Sequence, residues 1–175
     1  SGGTTPANGD TSTDSSTGID TLRSIEAIRG TNFNDVFDAR GFGLSTAANQ
    51  SYGTFNLPDG NSFEGRAGND QIIGNGSTRI DYQAAAVGVD VDLSRGTAFA
   101  LGDPGAEVAK SVGIDTFTGV FRVRGSTFGD KLVGGSPGRA YGAVWVEGFE
   151  PGAGNDTVDG KDGWDEVYYG DALKG

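Results

Sequence analysis

The chain has 175 residues, of which 32 are glycine and none is cysteine or histidine, and its formal net charge is −11. Disulfide bonds, Cys/His zinc sites and catalytic arrangements that use a histidine base or a cysteine nucleophile are therefore excluded. The negative charge disfavours nucleic acid and anionic membranes as partners and favours cations. No apolar run in the sequence reaches the length of a transmembrane helix.

The chain opens with a segment rich in Ser, Thr, Gly and Asp, residues 1–16, which we expect to be a flexible leader. The remainder repeats itself in three blocks. Two blocks return after 95 residues (113 − 18) and the third returns after 86 residues (149 − 63). The paired blocks are residues 18–21 and 113–116, residues 29–35 and 124–130, and residues 63–70 and 149–156.

The blocks keep their order, which indicates a duplicated unit within one continuous domain. We place the first unit at residues 17–110 and the second at residues 111–175. The units differ in length between their last two blocks, at residues 41–62 and 136–148. We expect these two segments to be loops that leave the stack of repeats.

The coarse secondary structure favours strands. Residues 87–93 alternate apolar with polar or small side chains, which is typical of a half-buried strand. No segment has a long apolar period of 3.6 residues, and the best helical candidate is short, at residues 105–111 after Pro104. The sequence therefore predicts an all-β fold.

The strongest local pattern is a tandem pair of nonapeptides at residues 151–159 and 160–168. Both have glycine at position four, aspartate at position six and valine at position eight. These residues are Gly154, Asp156 and Val158 in the first nonapeptide, and Gly163, Asp165 and Val167 in the second. Three looser nonapeptides begin at residues 30, 65 and 125, and they keep the aspartate at position six as Asp35, Asp70 and Asp130.

The chemistry of this pattern suits a hard cation. The first six residues make a tight turn in which glycines permit positive φ and leave carbonyl oxygens uncovered, while the aspartate supplies a carboxylate. Calcium takes about six to eight oxygen ligands in flexible geometry, which stacked turns can provide jointly. The aliphatic residue at position eight would point inward and build the core. The candidate calcium ligands are Asp35, Asp70, Asp130, Gly152, Gly154, Asp156, Gly163 and Asp165.

Turn capping is the alternative role for these aspartates, since Asp next to Gly is a common turn residue. Asp20 and Asp115, which precede threonine in both units, fit an Asx-turn and are interpreted as structural. Residues 74–80 are expected to form a further turn that lacks an aspartate, and there Arg79 would replace a bound ion with a fixed positive charge.

Taken together, the tandem nonapeptides and the three degenerate copies resemble the repeats of RTX (hemolysin-type) proteins over residues 17–175. The resemblance implies a right-handed parallel β-roll or β-helix-like solenoid, irregular and with loop excursions. It also implies a non-catalytic module of a larger secreted bacterial protein, exported by type I secretion. Such repeats bind Ca²⁺, fold on binding it outside the cell and stack on neighbouring repeats of the parent protein.

Other functions are weighed against the calcium module. The ligand spacing of an EF-hand and the glycine pattern of a P-loop are absent. Glycoside hydrolysis needs an isolated pair of carboxylates, and none stands out. An adhesin-type or carbohydrate-binding module on a calcium-stabilised solenoid is the alternative, with a glycan or a cell surface as partner. Its aromatic candidates are Trp145, Trp164, Tyr168 and Tyr169, which could instead cover the end of the core.

Overall fold

A computed structural model describes residues 20–22, 25–42, 60–102, 107–135, 139–141 and 144–170. These residues form twelve strands and one short 3₁₀ helix, which confirms the predicted all-β class. Among them, no helix combines the length and the apolar character needed to span a membrane.

The strands are short except for two of eleven residues each, β4 and β7. The strands are β1 (Ala27–Arg29), β2 (Val36–Asp38), β3 (Asn61–Glu64), β4 (Gln71–Asp81), β5 (Val89–Asp92), β6 (Thr97–Ala100), β7 (Ile114–Arg124), β8 (Lys131–Val133), β9 (Arg139–Tyr141), β10 (Val144–Glu150), β11 (Thr157–Asp159) and β12 (Trp164–Val167). The 3₁₀ helix spans Glu107–Ser111.

Most neighbouring strands run parallel and form three ladders. The first ladder joins β2 to the start of β4 and then to the start of β7. The second joins β1, β3, the end of β4, the end of β7, β10 and β12. The third joins β5, β8 and β11. Antiparallel β6 lies between β5 and β7, so the three ladders belong to one hydrogen-bonded sheet.

In each ladder, apolar residues of successive strands lie in register and form a column in the core. The columns are Phe37, Ile72 and Phe117 in the first ladder, Ile28, Phe63, Ile80, Val123, Phe149 and Val167 in the second, and Val91, Leu132 and Val158 in the third. The rings of Phe37 and Phe63 stack with centroids 4.9 Å apart and tie the first column to the second. Full burial of one such side chain contributes about 1.5–3 kcal/mol, so the columns hold the ladders together.

Position eight of the nonapeptides supplies much of this core, as expected. Phe37, Ile72 and Leu132 are buried, and Val158 is half-buried against the core. Val167 is the exception, because 39% of its surface is exposed.

The expected turn at residues 74–80 is wrong. β4 runs without a break from Gln71 to Asp81, and its register against β7 shifts between Ile73 and Thr78. Gly76 takes a φ of 83° within this irregular stretch, so the strand bends without leaving the sheet.

Other expectations have mixed outcomes. Residues 87–93 contain β5, and the short helical candidate at 105–111 contains the 3₁₀ helix. The segment 136–148, expected to be a loop, holds β9 and the start of β10, which pair antiparallel as an excursion from the parallel ladders. The leader at residues 1–16 and most of the 41–62 excursion lie outside the described residues.

Candidate metal-binding turns

Backbone N–H groups donate to aspartate carboxylates that come later in the chain, and these bonds link the turns into two stacks. The N–H of Asp35 donates to Oδ1 of Asp70 at 2.9 Å, and the N–H of Asp70 donates to Oδ1 of Asp115 at 3.0 Å. A second stack follows the same rule, since the N–H groups of Val89 and Asp130 donate to Asp130 and Asp156 at 2.8 and 2.9 Å. In each case, a carboxylate later in the chain therefore accepts a hydrogen bond from a backbone N–H earlier in the chain.

The turns at residues 30–35 and 125–130 also satisfy the remaining oxygen of their own aspartate. The N–H of Thr31 donates to Oδ2 of Asp35 at 2.7 Å, and its hydroxyl lies 3.1 Å from the same oxygen. Ser126 binds both oxygens of Asp130, its N–H donating to Oδ2 and its hydroxyl to Oδ1, each at 2.7 Å. We call these two segments the hydroxyl turns.

The turns at residues 65–70, 151–156 and 160–165 have a different backbone, and we call them the left-handed turns. Their second and fourth residues have positive φ. The values are 75° and 113° at Arg66 and Gly68, 89° and 128° at Gly152 and Gly154, and 63° and 132° at Lys161 and Gly163. The predicted glycine positions 152, 154 and 163 thus have the conformation for which glycine was expected, whereas Arg66 and Lys161 take it with a side chain.

Two left-handed turns leave a buried carboxylate oxygen without a hydrogen-bond partner. These atoms are Oδ2 of Asp70 and Oδ1 of Asp165. In both turns the carboxylate lies over the first glycine, because a Cβ added to Gly65 or Gly160 would meet an aspartate oxygen at 2.0 or 2.4 Å. The first position therefore needs glycine for space, and the carboxylate faces into its own turn.

Burial disfavours the ionised form of these carboxyl groups and so raises their pKa values. It raises the pKa of Asp70 to about 8, with further contributions from the nearby charges of Asp115 and Asp35. Burial also raises the pKa of Asp115 to about 7, although the hydrogen bonds from Asp70 and Tyr82 oppose it. The pKa values of Asp130 and Asp165 are raised for the same reason. A bound cation would favour the ionised form of each group.

The structure brings some predicted ligands together and separates others. Asp35 lies beside Asp70, and Asp130 lies beside Asp156, but Asp165 is on β12 opposite Glu147. Across the described ranges, no three Asp or Glu side chains converge in a group that could hold a metal ion. A cation in these turns would therefore need backbone carbonyl oxygens in addition to carboxylates.

Sequence reasoning gave Asp115 a structural role in an Asx-turn and did not place it in the stack with Asp70. It is 1% exposed, and the Tyr82 hydroxyl donates to its Oδ2 at 2.9 Å. The 45-residue separation of Asp70 and Asp115 carries no nonapeptide signal, so only the pairing of β4 with β7 reveals their contact.

Arg79 does not replace an ion in an aspartate turn. It belongs to a buried ionic cluster at the end of the second ladder, where it contacts Asp81 at 3.3 Å and Glu150 at 3.4 Å. Nε of Arg122 lies 3.0 Å from Glu150, and Nε of Arg124 lies 3.7 Å from it. Glu150 therefore contacts three arginines that parallel pairing brings together, and Asp81 contacts two of them.

The left-handed turns contain carboxylate and backbone carbonyl oxygens, and two of the three hold a buried carboxylate oxygen without a partner. That donor set fits calcium better than it fits zinc or copper, which prefer nitrogen and sulfur. No protein-family model and no curated protein matches this chain.

Proposed function

We propose that the chain is a calcium-binding structural module of a larger secreted RTX-type protein and that it folds on binding calcium outside the cell. The observation that carries this proposal is the pair of buried carboxylate oxygens without partners, on Asp70 and Asp165, in left-handed turns. A buried polar atom without a partner costs about 1–3 kcal/mol, and more when it is charged. A calcium ion bound in these turns would remove that cost.

The ligands in this proposal come from the left-handed turns. Asp70, Asp156 and Asp165 supply carboxylates, and the backbone around Gly152, Gly154 and Gly163 supplies carbonyl oxygens. When bound, calcium would add positive charge among aspartates whose mutual repulsion opposes folding. The net charge of −11 supports this coupling between binding and folding.

A parallel β-solenoid is the architecture that accords best with this function. The three parallel ladders and their in-register apolar columns support it. Successive turns also lie in close contact, since a Cβ on Gly154 would meet the Phe128 carbonyl oxygen at 2.5 Å. Neighbouring repeats of the parent protein would continue the same stack.

The hydroxyl turns should not need calcium. Thr31 and Ser126 already donate two hydrogen bonds each to the carboxylates of Asp35 and Asp130. We therefore assign these two aspartates, which the nonapeptide pattern also predicts as ligands, to turns that close without a metal. The proposal thus distinguishes two classes of turn within one chain.

Calcium titration of EDTA-treated protein, followed by isothermal calorimetry and circular dichroism, tests the proposal. We expect saturable binding with a gain of β signal, and extracellular modules of this kind bind at about 10⁻⁴ to 10⁻³ M. Asp165→Asn and Asp70→Asn should each remove binding sites or weaken them at least about tenfold, since they remove a charged ligand.

Asp130→Asn is the matched control, because it changes the same residue type at the same turn position in a hydroxyl turn. It should lower stability and leave the number of calcium sites unchanged. A protein that stays folded in EDTA and binds no calcium would contradict the proposal. Equal loss of calcium sites in Asp130→Asn and Asp165→Asn would contradict the division into two classes.

A further inference from the structure

A pocket of about 150 Å³ lies where four parallel strands of the second ladder end. Gln83 follows β4, Arg124 ends β7, Glu150 ends β10, and Tyr168 and Tyr169 follow β12. Residues that follow the carboxyl ends of adjacent parallel strands meet at one edge of a sheet, so stacking itself assembles this pocket. The rest of the lining comes from the turns at residues 125–130 and 151–156.

The two charged groups that line the pocket, Arg124 and Glu150, belong to a network of ion pairs. The Glu150 carboxylate contacts Arg122 at 3.0 Å, Arg79 at 3.4 Å and Arg124 at 3.7 Å, and Asp81 contacts Arg79 at 3.3 Å. Both pocket-lining charges are largely shielded, with side-chain exposures of 11% for Glu150 and 20% for Arg124. An ionic ligand would have to disrupt these pairs, whereas an uncharged ligand would not.

The same groups are well suited to hydroxyl recognition. Glu150 and Arg124 are planar groups held in fixed positions, one an acceptor and the other a donor, and Gln83 adds an amide that can do both. Tyr169 is 59% exposed and Tyr168 is half-buried, so the wall of the pocket presents aromatic surface with polar tips. A ligand with hydroxyl groups around an apolar ring face would match both features.

The size of the pocket limits the ligand. Sites for drug-sized molecules usually occupy about 300–1,000 Å³, and this pocket, at about 150 Å³, is smaller. It therefore has room for one small ring rather than a nucleotide or a chain of several sugars. The overall charge of −11 also disfavours acidic ligands at long range.

We infer that this pocket binds one neutral sugar unit, either a free monosaccharide or the terminal residue of a glycan. The Tyr168 and Tyr169 rings contact the apolar face of the sugar, and Gln83, Arg124 and Glu150 bind its hydroxyl groups. This site goes beyond the calcium module. It shares Gly152 and Ala153 with a proposed calcium turn, so its test keeps calcium constant.

Chemical-shift titration of the isotope-labelled full chain tests the inference, with calcium present throughout. The probes are the methyl glycosides of glucose, galactose and mannose, together with N-acetylglucosamine, and glucuronate serves as the charged comparison. We expect at least one neutral sugar to give saturable shifts confined to Gln83, residues 124–127, residues 150–153 and the two tyrosines. The affinity should be in the millimolar range, which is about −4 kcal/mol.

Variants locate the site. Tyr169→Ala and Gln83→Ala should each weaken sugar binding at least about fivefold, since each removes a wall or a hydrogen-bonding group of the pocket. Trp164→Ala is the matched control, because Trp164 is a 65% exposed aromatic residue on the neighbouring β12 that does not line the pocket. It should leave sugar affinity unchanged.

Three outcomes would overturn the inference: no saturable shift with any neutral sugar, tighter binding of glucuronate than of the neutral sugars, or loss of binding in Trp164→Ala alone. Calcium calorimetry on EDTA-treated protein from the same preparation keeps this result separate from the proposed function. Calcium binding without sugar binding would refute the pocket and leave the calcium module standing. Sugar binding by a protein that stays folded in EDTA and binds no calcium would support the pocket and refute the calcium module.

Discussion

The turns at 125–130 and 65–70 differ in how their aspartates are satisfied. In the turn at 125–130, Ser126 has negative φ, directs its N–H at Asp130 and adds its hydroxyl. In the turn at 65–70, Arg66 has a φ of 75°, and Oδ2 of Asp70 has no partner. Between these two turns, the backbone and the side chain of the second residue together decide whether the carboxylate is fully hydrogen-bonded.

Ser126→Ala should destabilise the calcium-saturated protein by about 1–3 kcal/mol, because the 1% exposed Ser126 binds Asp130 and accepts the N–H of Phe128 at 3.0 Å. Urea unfolding measures this change. Thr127→Ala, an exposed neighbour in the same turn, should change stability by less than about 0.5 kcal/mol. Equal stability of the two variants would show that the hydroxyl does not hold the turn closed.

At the scale of elements, close stacking of backbones depends on particular glycines. Gly113 has a φ of 77°, and a Cβ there would lie 1.6 Å from the carbonyl oxygen of Gly68. Gly76 has a similar φ of 83°, but a Cβ there would meet nothing within 4 Å. Gly76 therefore needs glycine only for its backbone conformation, whereas Gly113 needs it for both conformation and space.

Gly113→Ala should therefore destabilise the protein by at least about 2 kcal/mol more than Gly76→Ala, which should cost only the roughly 1–2 kcal/mol of a left-handed alanine. Thermal unfolding of both variants under identical calcium concentrations measures the difference. Similar unfolding temperatures for the two variants would contradict the close contact between Gly113 and the Gly68 carbonyl oxygen.

Sequence patterns predicted the elements that local residues determine and missed those that depend on distant contacts. The period-two alternation located β5, and position eight located core residues such as Leu132. Antiparallel β6 was not predicted, and the path of β4 through Gly74 was taken for a turn. There, pairing with β7 overrides the turn preference of the local glycines.

The same limit applied to the candidate site. Aspartate at position six could be found by spacing alone, and four of the five such residues lie between a turn and a strand, whereas Asp165 lies on β12. Whether both oxygens of a carboxylate have partners depends on the backbone and side chain of the second residue, and the φ of that residue could not be predicted from its identity as threonine or arginine. The ionic cluster around Glu150 was missed because its members come from three different strands.

For the whole molecule, protonation of buried aspartates at acidic pH should stabilise the fold, as calcium does in the proposed function. Burial raises the pKa of Asp70 to about 8 and that of Asp115 to about 7, whereas an unfolded aspartate titrates near about 3.9. The folded state therefore binds more protons, so this contribution to stability is complete below about pH 4 and is lost as the pH rises towards 8. Asp38, which is hydrogen-bonded to Arg40, and Asp92 have lowered pKa values. Their contribution to stability is therefore lost only when the pH falls below the ordinary range of aspartate titration.

In EDTA, circular dichroism should accordingly show more β structure near pH 5 than near pH 8. Asp115→Asn should reduce this difference, because it removes one of the two raised groups and leaves an oxygen to accept from the Asp70 N–H. Added calcium should have the opposite pH dependence, since ligation requires the ionised carboxylate. Apo stability that rises from pH 5 to pH 8 would be incompatible with buried carboxyl groups of raised pKa.

The hydrogen bonds between the stacked aspartates all run the same way along the chain. Each amide is completed by a carboxylate that comes later in the chain, as Asp35 is by Asp70 and Asp130 is by Asp156. Deleting the last layer would leave a buried N–H without an acceptor, whereas deleting the first would release a carboxylate oxygen that water can solvate. Truncation from the two ends should therefore differ in its effect on stability. The stack should tolerate loss of its first layer better than loss of its last layer.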